Sequence, residues 1–117
     1  MNLRKNRRKN KHYLNHLSSK LKVGMFVEDC RYHPCVVTER DHVNFDFRCT
    51  SLVSGRPNGC SMSHCGPVPL SKTEAYERAD CMKQHGMEAY LRRYCGYNDA
   101  AIDDWREQDK VWNFDKG

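Results

Sequence analysis

No apolar run in the sequence approaches the roughly 20 residues needed to cross a bilayer, so a membrane-spanning helix is excluded. The charged N-terminus is not followed by an apolar stretch, and a secretory signal is therefore not expected. Hydrophobic residues make up only 38% of the 117 positions, and the mean hydropathy is −0.91. Such a chain has little with which to build a large core. One small domain, or a very small domain with helical additions, is expected. The sequence also has no glycine-rich phosphate loop and no carboxylate pair in a recognisable acid–base frame, so a non-enzymatic protein is expected.

The most informative absence is local. Residues 1–22 contain no Asp or Glu, yet hold Arg4, Lys5, Arg7, Arg8, Lys9, Lys11, Lys20 and Lys22. Of 20 Lys and Arg and 15 Asp and Glu overall, eight cations fall in this stretch, which leaves 12 cations against 15 acids, net −3, in the rest. The overall charge of +5 therefore comes from a basic arm on a slightly acidic body.

A run of cations without acids is suited to phosphate contact. Such contact releases counterions and gives binding that is salt-dependent and independent of sequence. The candidate nucleic-acid-binding residues are Arg4, Lys5, Arg7, Arg8, Lys9, Lys11 and Tyr13, with His12 and Tyr13 able to stack on a base or ribose. An acidic protein surface is the competing partner, and a solvated tail without a specific role is the plainer reading. Residues before Tyr13 are expected to be disordered unless bound. Leu14, Leu17 and Leu21 fall at i, i+3 and i+7, the spacing of a short amphipathic helix.

Seven cysteines are many for this length. Without a secretory signal, reduced thiols or metal ligands are expected rather than disulfides. Two stretches, "CRYHPC" at 30–35 and "CSMSHC" at 60–65, pair cysteines around a histidine. In an up-and-down strand order, Cys30, His33, Cys35 and Cys60 share one end and His64 and Cys65 face the other, near His42. The first four would make a legitimate tetrahedral zinc set. Buried structural thiols weigh more heavily, because cysteine packs as a small hydrophobe. No cofactor is expected, with zinc as the alternative. Cys65 beside His64 is a poor nucleophile pair, since neighbours on a strand point to opposite faces.

From Val23 the texture is that of short strands. "VGMFVED" alternates, "PCVVTERD" follows a proline, and "NFDFRCTSLV" puts Phe45, Phe47 and Cys49 on one side. "SGRPNG" reads as a turn, and "CSMSHC" and "GPVPL" are extended. Over residues 23–70 the pattern "VGMFVED…PCVVTE…FDFRCTSLVSG…CS…VPL" resembles an SH3-like small β-barrel. That resemblance implies a surface of loops and one sheet face that binds peptide, RNA or DNA, and carries over no site residue. Cysteine-rich strands before a charged helical tail also resemble small uncharacterised bacteriophage proteins, which implies a setting without an activity.

After Leu70 the period becomes helical. Ser71-Lys72-Thr73-Glu74 is a capping box, with Leu70 and Ala75 at its hydrophobic-staple positions. Ala75, Ala79 and Met82 form a stripe, and Gly86 supplies a stop. A second helix is predicted near Met87–Cys95 with Gly96 after it. A third, capped by Asn98, has Ile102, Trp105 and Trp112 on its inner stripe. Its acids Asp99, Asp103, Asp104, Glu107 and Asp109 exclude it as a DNA-recognition helix. Trp105 and Trp112, if exposed together, would mark a protein-docking face.

The expectation is an α+β chain: a basic arm (1–22), an SH3-like antiparallel barrel (23–70), and a lobe of two to three short helices (71–117). Its expected role is a non-enzymatic accessory protein that contacts nucleic acid or a nucleoprotein assembly. The alternative is a protein–protein adaptor or virion component that docks through the helical lobe. The expected location is the cytoplasm, that of a host cell if phage-encoded, or an assembled particle.

Overall fold

The computed structural model describes residues 11–62 and 66–112, excepting the side chains of Lys11, Cys60, Val111 and Trp112. The chain is α+β. Helix α1 (Lys11–Lys20) precedes five strands, β1 (Phe26–Glu28), β2 (Pro34–Asp41), β3 (Asp46–Ser51), β4 (Pro57–Ser61) and β5 (Val68–Leu70). Helices α2 (Lys72–Tyr94) and α3 (Asp99–Trp112) follow. The strands pair antiparallel in the order β4-β3-β2-β1-β5.

The sheet is open: β4 and β5 are its edges among the described residues. The closed barrel expected from sequence is corrected on this point. β1 and β5 are three residues each, against eight in β2, so the short side of the sheet has little backbone with which to close. Both edges carry a proline, Pro57 in β4 and Pro69 in β5, which removes donors where another strand would add.

Alternation decides the faces. Val27, Cys35, Val37, Phe47 and Cys49 point inward, and Leu17 and Leu21 of α1 join them with Met62 in one buried cluster. The predicted leucine stripe is therefore real, with Leu14, Leu17 and Leu21 all buried. It also moves a boundary. The segment 1–22 is not wholly an arm, because α1 covers the inner face of the sheet as part of its core. Two strand readings change as well. Phe45 lies before β3, at φ 59°, in the loop that Asp41 holds by accepting from the Val43 and Asn44 N–H groups. In "SGRPNG" the turn ends early. Gly55 at φ 71° donates its N–H to the Ser51 carbonyl, which closes the reversal, so Pro57, Asn58 and Gly59 are free to pair as strand.

α2 begins where the capping signal puts it. The Ser71 hydroxyl accepts from the Glu74 N–H at 3.1 Å. The return half of the box differs, because the Glu74 carboxylate is taken by Arg78 one turn later. Ser71→Ala is expected to lower stability by about 1 kcal/mol through loss of this cap. An unchanged urea midpoint would show that the cap contributes nothing.

Gly86 breaks the helix axis at φ 86°, ψ 174°, backbone that a side chain strains to adopt. The two predicted helices therefore meet at Gly86, and α2 comprises both. Beyond it, the Asn98 side chain caps α3 by accepting from the Ala101 N–H at 2.9 Å. Cys81, Met82, Met87, Tyr90, Leu91, Cys95 and Ile102 form a second core between α2 and α3.

Candidate nucleic-acid interface

The expected arm begins at a fixed root. Arg4, Lys5, Arg7, Arg8 and Lys9 lie outside the described residues, as does the Lys11 side chain. Lys11 opens α1, which is anchored by its leucines and has no acid in its first turn. Tyr13 departs from its expected stacking role. It is half-buried against the sheet core, and its hydroxyl donates to the Pro67 carbonyl at 3.1 Å. A single sequence cannot distinguish a tyrosine that faces solvent from one that a later segment covers.

The outer face of the sheet is divided into bands by register. At one end, Glu28 is matched with Pro34 and Val68, and Arg78 of α2 reaches Glu28. The next band runs across the whole sheet: Leu70, Phe26, Val36, Thr50 and Pro57 are mutual partners in β5, β1, β2, β3 and β4. Leu70, Phe26, Val36 and Thr50 are half-buried, and Pro57 is exposed. Tyr76 of α2 stands beside this band. It is 47% exposed, with its ring 5.7 Å from that of Phe26 at a tilt of 60°.

The third band is polar. Glu39 pairs with Arg48 at 3.6 Å, and Arg48 crosses the position where Gly59 has no side chain. These residues line a shallow groove of about 550 Å3 together with Arg40, Asp41, Asp46, Phe47 and Ser61. Arg40 is fixed at its rim by donating to the Asp41 and Asp46 carbonyls and to the Ser18 carbonyl and hydroxyl of α1. Burial lowers the guanidinium's proton affinity, which Asp41 and Asp46 partly restore. Sequence reasoning missed this face. The alternation of "VGMFVED" does set Phe26 opposite Val27, but nothing local brings Tyr76 to it.

The cysteine–histidine stretch is a joint of the fold. The Asp29 carboxylate accepts from the Arg31 and His33 N–H groups, both at 2.9 Å, and from the Asn58 amide at 3.3 Å. The Cys35 thiol is directed at Asp29 Oδ2 and the His33 carbonyl. Tyr32, at φ 66°, faces the other way, with its ring edge-on to Tyr97 at 5.6 Å and its carbonyl accepting from the Tyr90 hydroxyl at 2.6 Å.

Of the proposed zinc set, His33 and Cys35 are buried in this joint and Cys30 is half-buried. Cys60 does not join them. It is the fourth residue of β4, opposite Phe47, which in turn faces Arg40. Arg40 is five residues along β2 from Cys35, about 16 Å at roughly 3.3 Å per residue. The expected four-ligand cluster is corrected, because β4 starts at Pro57 rather than at Cys60. Among the described residues no group of three or more His, Cys, Asp or Glu is arranged for a metal ion.

Cys35 is held as a neutral thiol. Its pKa is pushed far up by the hydrogen bond with Cys49, by burial and by the Asp29 charge. Native-state alkylation is thus expected to reach Cys30 before Cys35 or Cys49, which are fully buried. Labelling of Cys35 or Cys49 at the rate of Cys30 would count against this packing.

A buried ion pair helps to join the lobe to the sheet. Arg78 donates to Glu28 at 2.9 Å and to Glu74 at 2.6 Å, approaches the Tyr90 hydroxyl at 3.4 Å, and lies over the Tyr94 ring at 5.2 Å. Trp105, offered as a docking residue, is half-buried against the lobe core. His64, Cys65 and the Trp112 side chain lie outside the described residues. No described helix is long and apolar enough to cross a membrane. Comparison with family models, curated proteins and solved structures yields no match.

Proposed function

We propose that this chain is a non-enzymatic accessory protein that contacts nucleic acid, or a nucleoprotein assembly, through its basic N-terminal arm. The observation that carries the reading is the segregation of charge: eight cations and no acid in residues 1–22, against a net −3 elsewhere. Polyanions are attracted to the arm and repelled by most of the body. The docking of α1 supports the reading, since an arm rooted in the core delivers its partner to a defined side of the protein. The strand order, four consecutive hairpin-linked strands with β5 returning beside β1, supports an SH3-like sheet as the scaffold. On this reading the protein works in the cytoplasm, of a host cell if phage-encoded, or within an assembled particle.

Trp105, one of the two anchors named for the adaptor reading, is half-buried against the lobe core. Filter binding of RNA and DNA at several salt concentrations tests the proposal. The expected result is affinity that falls linearly with log salt. Absence of binding at low salt would remove it.

A further inference from the structure

We infer that the solvent face of α1, formed by His12, Asn15, His16 and Ser19, enters the major groove of duplex DNA and reads base edges there, while the arm before it follows the phosphates. The inference rests on the nucleic-acid reading above and deepens it, naming the DNA duplex as partner and α1 as the element that meets its bases. It begins from where the sheet places charge. Phe26 and Val27 point to opposite faces of β1, as strand alternation requires. α1 joins Val27 on the inner face through Leu17 and Leu21, and α2 meets Phe26 on the outer face through Tyr76. The acid-rich α3 packs on α2. α1 has no acid at all. The sheet thus stands between the basic helix and the helices of the lobe, and the separation of charge along the sequence is also a separation in space.

α1 is held firmly on its inner side. Leu14, Leu17 and Leu21 are buried. Near its start the Tyr13 hydroxyl donates to the Pro67 carbonyl, and near its end Arg40 donates to the Ser18 carbonyl and hydroxyl. A helix fixed at both ends presents its opposite side in a defined orientation. On that side His12, Asn15, His16 and Ser19 fall at i, i+3, i+4 and i+7, and all four are exposed. Amide, imidazole and hydroxyl groups both donate and accept, which matches the mixed pattern of major-groove base edges, and an Asn amide fits adenine. Tyr13, which would stack a base of a single strand, is turned toward the core instead. A helix about 10–12 Å across fits the B-form major groove, about 12 Å wide. The deep, narrow major groove of duplex RNA does not admit side chains to its bases. In sequence the cations of residues 4–11 lead directly into His12, so the helix face continues the basic arm. At the far end Arg40 also binds the Asp41 and Asp46 carbonyls, and the carboxylates of those residues disfavour phosphate there. The N-terminal half of α1, with His12, Asn15 and His16, is therefore the part that enters the groove.

The test uses the full chain and a pool of short DNA duplexes with a randomised centre, taken through rounds of selection. Enrichment of a shared motif is expected, bound at least about tenfold more tightly than a scrambled duplex at the same salt. Asn15→Ala and His16→Ala are each expected to weaken binding of the motif about tenfold. Both should leave affinity for the scrambled duplex, and its dependence on salt, as in the unmodified chain, because the arm supplies that part. Both residues are exposed, so a thermal melt should confirm that each variant is folded.

If duplexes bind but no motif is enriched, α1 does not read the groove and the arm reading stands. The same holds if Asn15→Ala and His16→Ala both bind the enriched motif as the unmodified chain does. A single strand, or an RNA duplex of the motif sequence, bound as tightly as the DNA duplex overturns the inference in the same way. If the unmodified chain binds neither duplex nor single strand at low salt, both readings fall.

Discussion

Replacing Arg4, Lys5, Arg7, Arg8, Lys9 and Lys11 together with glutamine is expected to abolish measurable binding of RNA and DNA at about 0.1 M salt while leaving the thermal melt nearly unchanged. Each phosphate neutralised contributes roughly 0.7 to the salt slope for single strands and 0.9 for duplex. Six cations therefore account for up to about 4 to 5 units of slope, which corresponds to several orders of magnitude in affinity across ordinary salt concentrations. The melt should hold because α1 keeps Leu14, Leu17 and Leu21, its contribution to the core. Filter binding across a salt series decides the matter. An unchanged slope in the neutralised chain would move the site away from the arm and return the adaptor reading to the front.

The largest loss of stability is expected at the joint between sheet and lobe. Glu28 is 0% exposed and Arg78 6%, so Arg78→Met would leave a carboxylate buried under α2 without its counter-charge. Breaking such a pair from one side costs about 3–5 kcal/mol. For a chain of this size that is a large fraction of the whole folding free energy, and a melting temperature lower by well over ten degrees is expected.

Replacing both partners, Glu28→Leu with Arg78→Met, is expected to recover much of the loss, because the penalty lies in the orphaned charge. Urea unfolding of the two single variants and the double variant gives the coupling directly. A single-variant loss below about 1 kcal/mol would show that water reaches Glu28 and that the lobe is held by its apolar contacts alone. The arginine side of the pair does not titrate near neutrality. Burial alone would lower its pKa, but Tyr90, Glu74 and Glu28 outweigh burial and raise it above the ordinary value. Its stabilising contribution is therefore complete below that ordinary value and fades only as pH rises beyond it.

Local chemistry made much of this fold legible. Ser71 and Asn98 cap helices because their side chains satisfy N–H groups a few residues away. Leu14, Leu17 and Leu21 form a helix stripe because their spacing puts them on one face. Phe47 and Cys49 point inward together because strands have period two. The charge segregation is likewise a property of the sequence alone.

What the sequence left open depended on one residue of register or on contacts far along the chain. Cys60 lies well below Cys35 because Gly55 closes the preceding turn early and lengthens β4, a choice made between several turn-forming residues only when β4 pairs with β3. Tyr13 is half-buried because Pro67, 54 residues away, supplies its acceptor. Arg78 is unremarkable within its helix until it meets Glu28 50 residues earlier. Phe26 and Tyr76 share a face for the same reason: α2 crosses the outer side of β1. Composition and short-range hydrogen bonding determine the elements and the charge. Only the packing of those elements decides which polar and aromatic side chains meet, because such contacts join residues whose separation along the chain has no period to reveal it.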